Sequence, residues 1–419
     1  MAKELKVRSA LYARGYLVSR RDVSDAIAVL HWQRLEFGSA EKRWFLFYDE
    51  RNEVCVREKD GRFALVLGTL LDPQKKTIEQ AVIADELLAR ADDRERLLDY
   101  IDALCGRHIV IVGDASGAKL VQDACGMRTC YYGQEFVASH YGLINDLERH
   151  AYIPFWSVYN AMPDKPWYLP GALTPYEGVL TLFPNHALDL DTHQVERIFP
   201  RRPREAISAS EVADYFAWLM RTQLEVLSRK YMFLVSATGG HDSRTTLSAL
   251  KPYREKTLVF SYLNQSKTDT CAQDNVVARQ LSEQFGFAYR QLVLDKPAPA
   301  ALADVLLRNH YHRHVPSVIP KYVSELPCEG ALHLRSNILE IIRERGYFRL
   351  KPCTAEAMAA MTYGGIRKMG TAPEVLKAFS EFFLVNQYDQ LQGYDAGDVF
   401  YQELRMGVWH AGGVLLASD

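Results

Sequence analysis

A chain of 419 residues is long enough to form two domains, each with its own hydrophobic core. Its hydrophobic content of 48% and charged content of 24% are those of an ordinary globular protein, and its net charge of −2 gives no electrostatic argument for a nucleic-acid partner. The N-terminal stretch is charged and no apolar run approaches membrane-spanning length, so we expect neither a signal peptide nor a membrane span.

The cysteine pattern indicates a reducing compartment. The seven cysteines are an odd number, they are scattered along the chain, and no C-x-x-C pair occurs. This pattern is typical of reduced thiols rather than of a disulfide framework. We therefore expect a cytoplasmic protein.

The first half of the chain is predicted to be rich in β-structure. Apolar and aromatic runs predict strands at Arg43–Tyr48, 63–67, 108–112, 127–132 and 136–139. The run HIVIV at 108–112 suits a strand that is buried on both faces. A mixture of Leu, Ala and charged residues predicts one amphipathic helix over residues 77–99.

A passage rich in proline and aromatic residues at 163–200 is expected to join two domains, which we place at 1–200 and 201–419. Its basic run at 197–204 (RIFPRRPR) is interpreted as a solvated linker rather than as a nucleic-acid patch. The second domain is expected to open with a capping box formed by Ser208 and Glu211, followed by a helix to about Lys230.

The stretch 231–250, YMFLVSATGGHDSRTTLSAL, predicts a buried strand at 231–236, a glycine turn and a helix that Pro252 ends. The adjacent Gly239 and Gly240 allow the backbone to approach a ligand closely and to direct successive N–H groups at an anion. The hydroxyls of Thr238 and Ser243 add donors. The start of the helix adds a partial positive charge.

Asp242 stands out in this turn, because a carboxylate beside a bound phosphate is repulsive. Its presence makes sense if it holds Mg²⁺, which in turn neutralises the phosphate. The alternative is an ordinary strand-to-helix turn in which Asp242 caps the helix. The turn is not a Walker loop, because no G-K-S/T follows it.

The elements after this turn predict a parallel sheet. A second strand is expected at 256–262, followed by a helix at 269–285 with Gly286 at its C-terminal end. Alternating strands and helices imply a parallel sheet with a ligand site at the carboxyl ends of the strands. Ser261 and Tyr262 end the second strand and should lie beside the glycine turn.

The histidine-rich HYHRH run at 310–314 resembles a metal site only superficially. His310 and His314 would share one helix face, but no glutamate of the H-E-x-x-H type accompanies them, and Pro316 follows closely. We interpret the run as a polar or substrate-facing surface.

Two later segments carry further candidate residues. The pattern of LRSNILEIIRERGY (334–347) is consistent with a buried amphipathic helix that pairs Glu340 with Arg343 or Arg345. The pattern of DVFYQELRMGVW (398–409) is consistent with a helix that packs its apolar face and also carries Glu403, Arg405 and Trp409.

Four segments resemble the asparagine synthetase-like superfamily. The 238–243 turn resembles the S-G-G-x-D-S PP-loop of ATP pyrophosphatases, and 334–347 resembles the second nucleotide motif of the family in a glycine-poor form that ends in E-I-x-R. Residues 398–409 resemble an F-Y-x-E-x-R-x-G-x-W segment of the family, which implies that Glu403, Arg405 and Trp409 are candidates for the wall of an acceptor pocket. Residues 106–132 resemble the R-D-x-x-G-x-R/K-x-x-Y-Y meander of the N-terminal glutaminase domain.

The resemblance implies the fold and the site. An α+β N-terminal domain like the Ntn hydrolases, with two stacked antiparallel sheets, should precede an α/β PP-loop domain (adenine nucleotide α-hydrolase-like) with a parallel sheet. The 238–243 turn should bind the pyrophosphate of ATP, and Asp242 and Glu340 should share Mg²⁺. The resemblance also implies nucleotide contacts by Ser261, Tyr262, Ser336 and Asn337 and a catalytic cation among Arg343, Lys351 and Lys368.

The implied activity is ATP-dependent amide-bond formation, in which a substrate carboxylate is adenylated, pyrophosphate leaves and an amine attacks. The acid and the amine are expected to be small molecules or peptides in natural-product, peptide or cell-surface biosynthesis, as in β-lactam synthetases and lasso-peptide cyclases. We expect neither a nucleic acid nor a membrane as a partner. We expect the chain to form a homodimer or to bind a partner protein. The alternative function is a non-catalytic nucleotide-binding subunit of a larger synthetase. Sulfur insertion into a nucleic acid is disfavoured by the charge and the cysteines.

The resemblance fails at the glutaminase centre. That activity requires an N-terminal cysteine as its nucleophile, whereas this sequence begins Met1-Ala2-Lys3 and its first cysteine is Cys55, in a strand-like VCVRE segment. We therefore expect no glutaminase activity, so that the amine arrives from solution or on the substrate. Relatives usually continue beyond the position of Asp419, so we expect either that this member has lost that tail or that another polypeptide completes it.

Overall fold

The computed structural model describes residues 10–162, 166, 168–264, 270–294, 300–311, 318–342, 350–366 and 369–416. The fold is a mixed α/β arrangement with two six-stranded antiparallel sheets and one four-stranded parallel sheet. Both antiparallel sheets are built from the first half of the chain, and the parallel sheet is built from the second half. None of the described helices combines the length and apolarity that a bilayer crossing needs.

The described elements alternate between β-rich and helical stretches. The strands are β1 Tyr16–Ser19, β2 Gln33–Gly38, β3 Arg43–Tyr48, β4 Val54–Lys59, β5 Arg62–Leu71, β6 Cys105–Gly113, β7 Ala118–Gln122, β8 Tyr131–Tyr132, β9 Phe136–Ala138, β10 Leu180–Thr181, β11 His186–Asp189, β12 Val195–Arg197, β13 Met232–Ser236, β14 Thr257–Asn264, β15 Ala288–Leu294 and β16 Ala331–Leu334. The helices are α1 Gln80–Leu88, α2 Arg94–Ala103, α3 Tyr141–Glu148, α4 Pro154–Ala161, α5 Ala209–Leu227, α6 His241–Leu250, α7 Thr270–Phe285, α8 Ala300–Asn309, α9 Val318–Glu325, α10 Ala355–Tyr363, α11 Pro373–Val385, α12 Ala396–Phe400 and α13 Ala411–Leu416. A π-helix, Tyr401–His410, connects α12 to α13.

The two antiparallel sheets stack face to face, as predicted. The first has the strand order β10-β8-β9-β1-β3-β2 and the second has the order β12-β11-β7-β6-β5-β4. Because side chains alternate along a strand, Trp44 and Leu46 of β3 point towards the second sheet, where they join Leu65 of β5 and Ile111 of β6 in one core. The 108–112 run lies within β6 and is buried through Ile111, which confirms the predicted strand.

The outer faces of both sheets are covered by helices. Ile83 and Leu87 of α1 and Ile101 of α2 pack on the second sheet. The outer face of the first sheet packs against helices from the end of the chain, so that one hydrophobic cluster contains Leu17 of β1 together with Phe379 of α11. The two predicted sequence segments, 1–200 and 201–419, therefore share a core.

Two predictions in the first half of the chain are corrected. The helix predicted at 77–99 is two helices, because the Asp93 carboxylate accepts a hydrogen bond from the Arg96 N–H and so caps a new helix. Most of the strand predicted at 127–132 is a turn, and only Tyr131–Tyr132 pairs. The Asp123 carboxylate accepts the N–H groups of Cys125, Met127 and Arg128, which removes those donors from any ladder.

The basic run at 197–204 is solvated only at its end, because residues 202–204 are exposed whereas residues 197–201 are buried or half-buried. Arg197 is buried, and its guanidinium forms an ion pair with Glu403 at 2.8 Å. Arg201 and Arg202 both bind the Asp99 carboxylate of α2. The arginines therefore fasten this segment to the rest of the fold.

The parallel sheet confirms the strand and helix predictions for the second half. Its order is β15-β14-β13-β16, and every described pairing in it is parallel. The capping box of Ser208 and Glu211 opens α5, and α7 ends at Phe285 before Gly286, whose φ is +75°. β16, whose four residues ALHL form the outer neighbour of β13, is too short to be predicted from its sequence pattern.

Candidate functional site at the carboxyl ends of the parallel strands

The glycine turn connects β13, in the interior of the sheet, to α6. Phe233, Leu234 and Val235 of β13 are buried, so the strand that leads into the turn is held rigidly. Gly240 is the N-cap residue of α6, and Asp242 lies in the first turn of that helix. The strand–turn–helix prediction is confirmed, and the alternative in which Asp242 caps the helix is wrong.

The amides of the turn already have acceptors within the chain. The Thr238 N–H donates to Ser243 Oγ at 3.0 Å, and the Gly240 N–H donates to Thr238 Oγ1 at 3.2 Å. The Gly239 N–H donates to Asp274 Oδ1 of α7 at 2.9 Å. The Gly239 amide therefore donates to a carboxylate of the protein, and its binding to a phosphate stays a prediction.

Neighbouring atoms restrict both glycines of the turn. A Cβ atom on Gly239 would lie 3.2 Å from Asp274 Oδ1 and 3.4 Å from Val277 Cβ. A Cβ atom on Gly240 would lie 3.2 Å from Thr238 Oγ1. Side chains at these positions would crowd the hydrogen bonds that shape the turn. The local packing therefore accounts for glycine at both positions.

A buried polar network lies in the carboxyl half of β14, which continues to Asn264, so the prediction that Ser261 and Tyr262 end this strand is wrong. Ser261 Oγ donates to Asn275 Oδ1 at 2.6 Å and lies 2.5 Å from the Tyr289 hydroxyl. The Asn275 side-chain amide donates to the carbonyl of Tyr262 at 2.7 Å. Because Asn275 follows Asp274 in α7, one helix turn contacts both the glycine turn and the carboxyl half of β14. The structure thus brings Ser261 and Tyr262 to the same edge of the sheet as the 238–243 turn.

The second predicted nucleotide segment lies directly beside α6. Residues Ser336–Ile342 form a 3₁₀-helix after β16, and Ser336 Oγ lies 2.9 Å from Thr246 Oγ1 of α6. Thr246 follows Asp242 by one helical turn, so the Ser336 contact is on the face of α6 that carries Asp242. Glu340 accepts a hydrogen bond from the Tyr401 hydroxyl at the start of the π-helix.

Several predicted residues fall outside this arrangement. Asn337 is partly buried in the 3₁₀-helix. Lys351 is exposed before α10 and forms no hydrogen bond or ion pair with the part of the chain that the structure describes. Arg343, Lys368 and His314 lie outside the described residues. Their predicted roles therefore remain predictions.

Two interpretations of polar residues in the second half are changed. His310 is completely buried against Tyr311, and burial lowers its pKa to about 3, so the prediction of a polar or substrate-facing surface is wrong there. Glu403 is completely buried, and Arg197 and Tyr388 bind its carboxylate. These contacts favour the packing interpretation for Glu403 over a place in a pocket wall. Arg405 stacks on the Trp409 ring at 3.5 Å.

The described residues contain no group of three or more His, Cys, Asp or Glu side chains arranged to hold a metal ion. A shared ion at Asp242 and Glu340 would use two carboxylates and complete its shell with ligand oxygens. Carboxylate oxygens are the donors that Mg²⁺ prefers. The two residues therefore fit the ion chemically, and their convergence on one site stays a prediction.

Sequence reasoning missed two residues at this edge of the sheet, Asp274 and Arg335. Asp274 lies in a helix whose pattern gives no sign that it faces the glycine turn. Arg335 directly follows β16, and the short apolar run ALHL before it was the available signal. Both residues reach the site through tertiary pairing rather than through a local motif.

Comparisons with known proteins do not assign the chain to a family. No protein-family model matches it, and no curated protein matches it. Among solved structures, it aligns with glutamine phosphoribosylpyrophosphate amidotransferase from B. subtilis, complexed with ADP and GMP, at 8% identity and a TM-score of 0.26. It also aligns with a structure described as the allosteric regulatory enzyme of purine biosynthesis, at 9% identity and a TM-score of 0.29.

These alignments cover 70% and 78% of this chain. The chain spans 61% of the length of the B. subtilis protein and 84% of the other. With such TM-scores the alignments carry no argument about fold or function. A function for the chain therefore has to be argued from the geometry at the carboxyl ends of the parallel strands.

Proposed function

We propose that the protein is an ATP-dependent carbon–nitrogen ligase that adenylates a carboxylic acid and transfers the acyl group to an amine. The observation that carries the proposal is the 238–243 turn, in which a glycine pair and a helix start follow an interior strand of a parallel sheet. A helix start at this edge is a general anion-binding arrangement. Asp242 in the first turn, and Ser336 against the same helix, are further supports.

Each part of the site has a distinct role in this proposal. The 238–243 turn would bind the β- and γ-phosphates of ATP, which leave as pyrophosphate. Mg²⁺, held by Asp242 and Glu340, would neutralise the developing charge on the leaving group. Ser261 and Tyr262 in the carboxyl half of β14 would contact the adenosine, and Ser336 and Asn337 would close the nucleotide site from the other side.

Binding of a phosphate to the Gly239 amide requires that it replace Asp274. The present hydrogen bond, at 2.9 Å, marks the place where an oxyanion is accepted. Movement of Asp274 away from the turn would release this donor, and would place a carboxylate near the incoming cation. The proposal therefore includes a small rearrangement of the start of α7 on nucleotide binding.

The products of ATP cleavage test the proposal. The protein is incubated with Mg²⁺, ATP and panels of carboxylic acids and amines, and AMP, ADP, phosphate and pyrophosphate are quantified. We expect AMP and pyrophosphate in equal amounts, and acid-dependent exchange of labelled pyrophosphate into ATP. Stoichiometric ADP and phosphate would contradict adenylation. Nucleotide binding without any turnover across the panels would favour a non-catalytic nucleotide-binding subunit instead.

Asp274→Asn is expected to tighten the binding of inorganic pyrophosphate in the absence of metal by roughly 3- to 10-fold. Asparagine keeps an oxygen that accepts the Gly239 N–H but removes the negative charge that repels the ligand. Calorimetric titration in EDTA measures the change. Glu283→Gln on the same helix is the matched control, because Glu283 is exposed and lies far along α7 from the turn. Weaker binding by Asp274→Asn would show that the carboxylate helps the ligand to bind.

A further inference from the structure

Arg335 lies at the carboxyl edge of the parallel sheet, beside the glycine turn. It directly follows β16, and the parallel pairing of Val235 with Leu334 places it next to Ser236, the last residue of β13. Neighbouring contacts fix this position. His333 Nε2 lies 3.1 Å from Ser236 Oγ, and Ser336 is held against α6 by Thr246.

The guanidinium of Arg335 is partly buried, and no described side chain neutralises it. Among the described residues, Arg335 has no ion pair, no side-chain hydrogen bond and no aromatic ring stacked on it. Burial lowers its pKa, and the groups that oppose this effect are the hydroxyls of Tyr262 and Tyr322 rather than a carboxylate. Arg197, by contrast, is a buried arginine bound by the Glu403 carboxylate.

Aromatic rings and histidines lie near Arg335 in the part of the chain that the structure describes. The rings of Phe260, Tyr322 and His333 pack together on this face of the sheet, with centroids 5.3 to 5.7 Å apart. Burial, and then the charge of Arg335, lowers the pKa of His333 to about 3, and burial has the same effect on His410. Both imidazoles are therefore neutral near pH 7, and the positive charges that act on them are those of Arg335, on both, and of Arg405, on His410.

An arginine in this environment is suited to bind an anion. Burying a charge without a partner is unfavourable, and a guanidinium binds carboxylates and phosphates through two parallel hydrogen bonds. We infer that Arg335 binds an oxyanion of a reactant at the carboxyl end of the sheet, either a phosphoryl group of the nucleotide or the carboxylate of the acid. This inference rests on the proposed function and adds to it the residue that holds a reactant in place.

The two sources of the oxyanion can be separated with simple probes. Inorganic pyrophosphate reports the nucleotide side. Benzoate tests for binding of the acid's carboxylate. Benzamide, its neutral isostere, measures the part of the affinity that comes from the aromatic surroundings alone. Dissociation constants are measured for the wild type, Arg335→Gln and Arg335→Lys. Arg254→Gln is the matched control, because it removes one exposed arginine at the opposite, amino end of β14. Thermal unfolding of each variant confirms that it folds.

We expect Arg335→Gln to weaken the binding of one of the two anions roughly 10- to 100-fold, because a charge-assisted hydrogen bond is lost. Arg335→Lys should retain part of the wild-type affinity. Arg254→Gln should bind both anions as the wild type does, and none of the variants should change the affinity for benzamide. Loss of pyrophosphate affinity assigns Arg335 to the nucleotide, and loss of benzoate affinity assigns it to the acid.

Two other results would overturn the inference in different ways. If the wild type binds pyrophosphate or benzoate and Arg335→Gln binds both equally well, Arg335 is not an anion ligand, while the proposed ligase function is unaffected. If the wild type binds neither probe and releases no pyrophosphate from ATP with any acid, the inference and the proposed function both fail.

Discussion

Glu403→Ala is expected to lower the free energy of unfolding by about 3 to 5 kcal/mol, the range typical when one partner of a buried ion pair is removed. The Glu403 carboxylate is fully buried and accepts hydrogen bonds from Arg197 at 2.8 Å, from Tyr388 at 2.6 Å and from Asn185 at 3.0 Å. Alanine leaves the Arg197 guanidinium buried without its counter-charge. Urea unfolding followed by tryptophan fluorescence measures the loss.

Three companion variants separate charge from packing. Tyr388→Phe removes one hydrogen bond to the carboxylate, so the expected loss is only about 1 to 2 kcal/mol. The double variant Arg197→Met with Glu403→Leu removes both charges together, so it should lose less than Glu403→Ala alone. Glu381→Ala is the control, because Glu381 is a largely exposed carboxylate whose pairing with Lys377 contributes little.

A loss below about 1 kcal/mol for Glu403→Ala would mean that the Arg197 pair does not hold the end of the chain to the first half. The position of the pair makes this informative. Arg197 ends β12 of the second antiparallel sheet, whereas Glu403 lies in the π-helix near the other end of the chain. Their contact is the buried ion pair among several polar contacts that, together with the shared core, couple the two sequence halves.

Local signals predicted the elements that are self-contained. The strand, glycine turn and helix at 231–250 were evident because an apolar run, a glycine pair and Pro252 lie next to one another in the sequence. The capping box at Ser208 is likewise contained within four residues. The split of the predicted 77–99 helix was missed because one capping residue, Asp93, decided it against an otherwise continuous helical pattern.

Nonlocal pairing decided most of the features that local patterns did not predict. The glycine turn was correctly located, but the carboxylate that satisfies Gly239 comes from Asp274 on another helix. β16 is only four residues long, and it is a strand because β13 pairs with it, which is also what carries Arg335 to the site. Arg197 was predicted to be solvated because a run of arginines is usually exposed, and only the folded chain shows its distant partner.

Asp242→Asn is expected to lower the rate of acid-dependent pyrophosphate exchange at least about 100-fold. In the proposed function the Asp242 carboxylate holds the cation that neutralises the leaving pyrophosphate, and an amide is a much weaker ligand for Mg²⁺. Stability should change by about 1 kcal/mol or less, because Asp242 is only half-buried in the first turn of α6, and contacts of a partly solvated carboxylate contribute little to stability.

The control for this change is Glu374→Gln, because Glu374 occupies the first turn of α11 and is exposed. It loses the same favourable interaction with a helix start, but it is not part of the candidate site. Exchange is measured over a range of Mg²⁺ concentrations, and we expect Asp242→Asn to require more Mg²⁺ while Glu374→Gln behaves as the wild type does. If Asp242→Asn keeps an activity within a few-fold of the wild type at low Mg²⁺, the Asp242 carboxylate is not a ligand of the metal ion. If Asp242→Asn instead unfolds several kcal/mol more easily than Glu374→Gln, the carboxylate acts in the fold, because the loss of a helix-dipole contact alone is too small to account for such a difference.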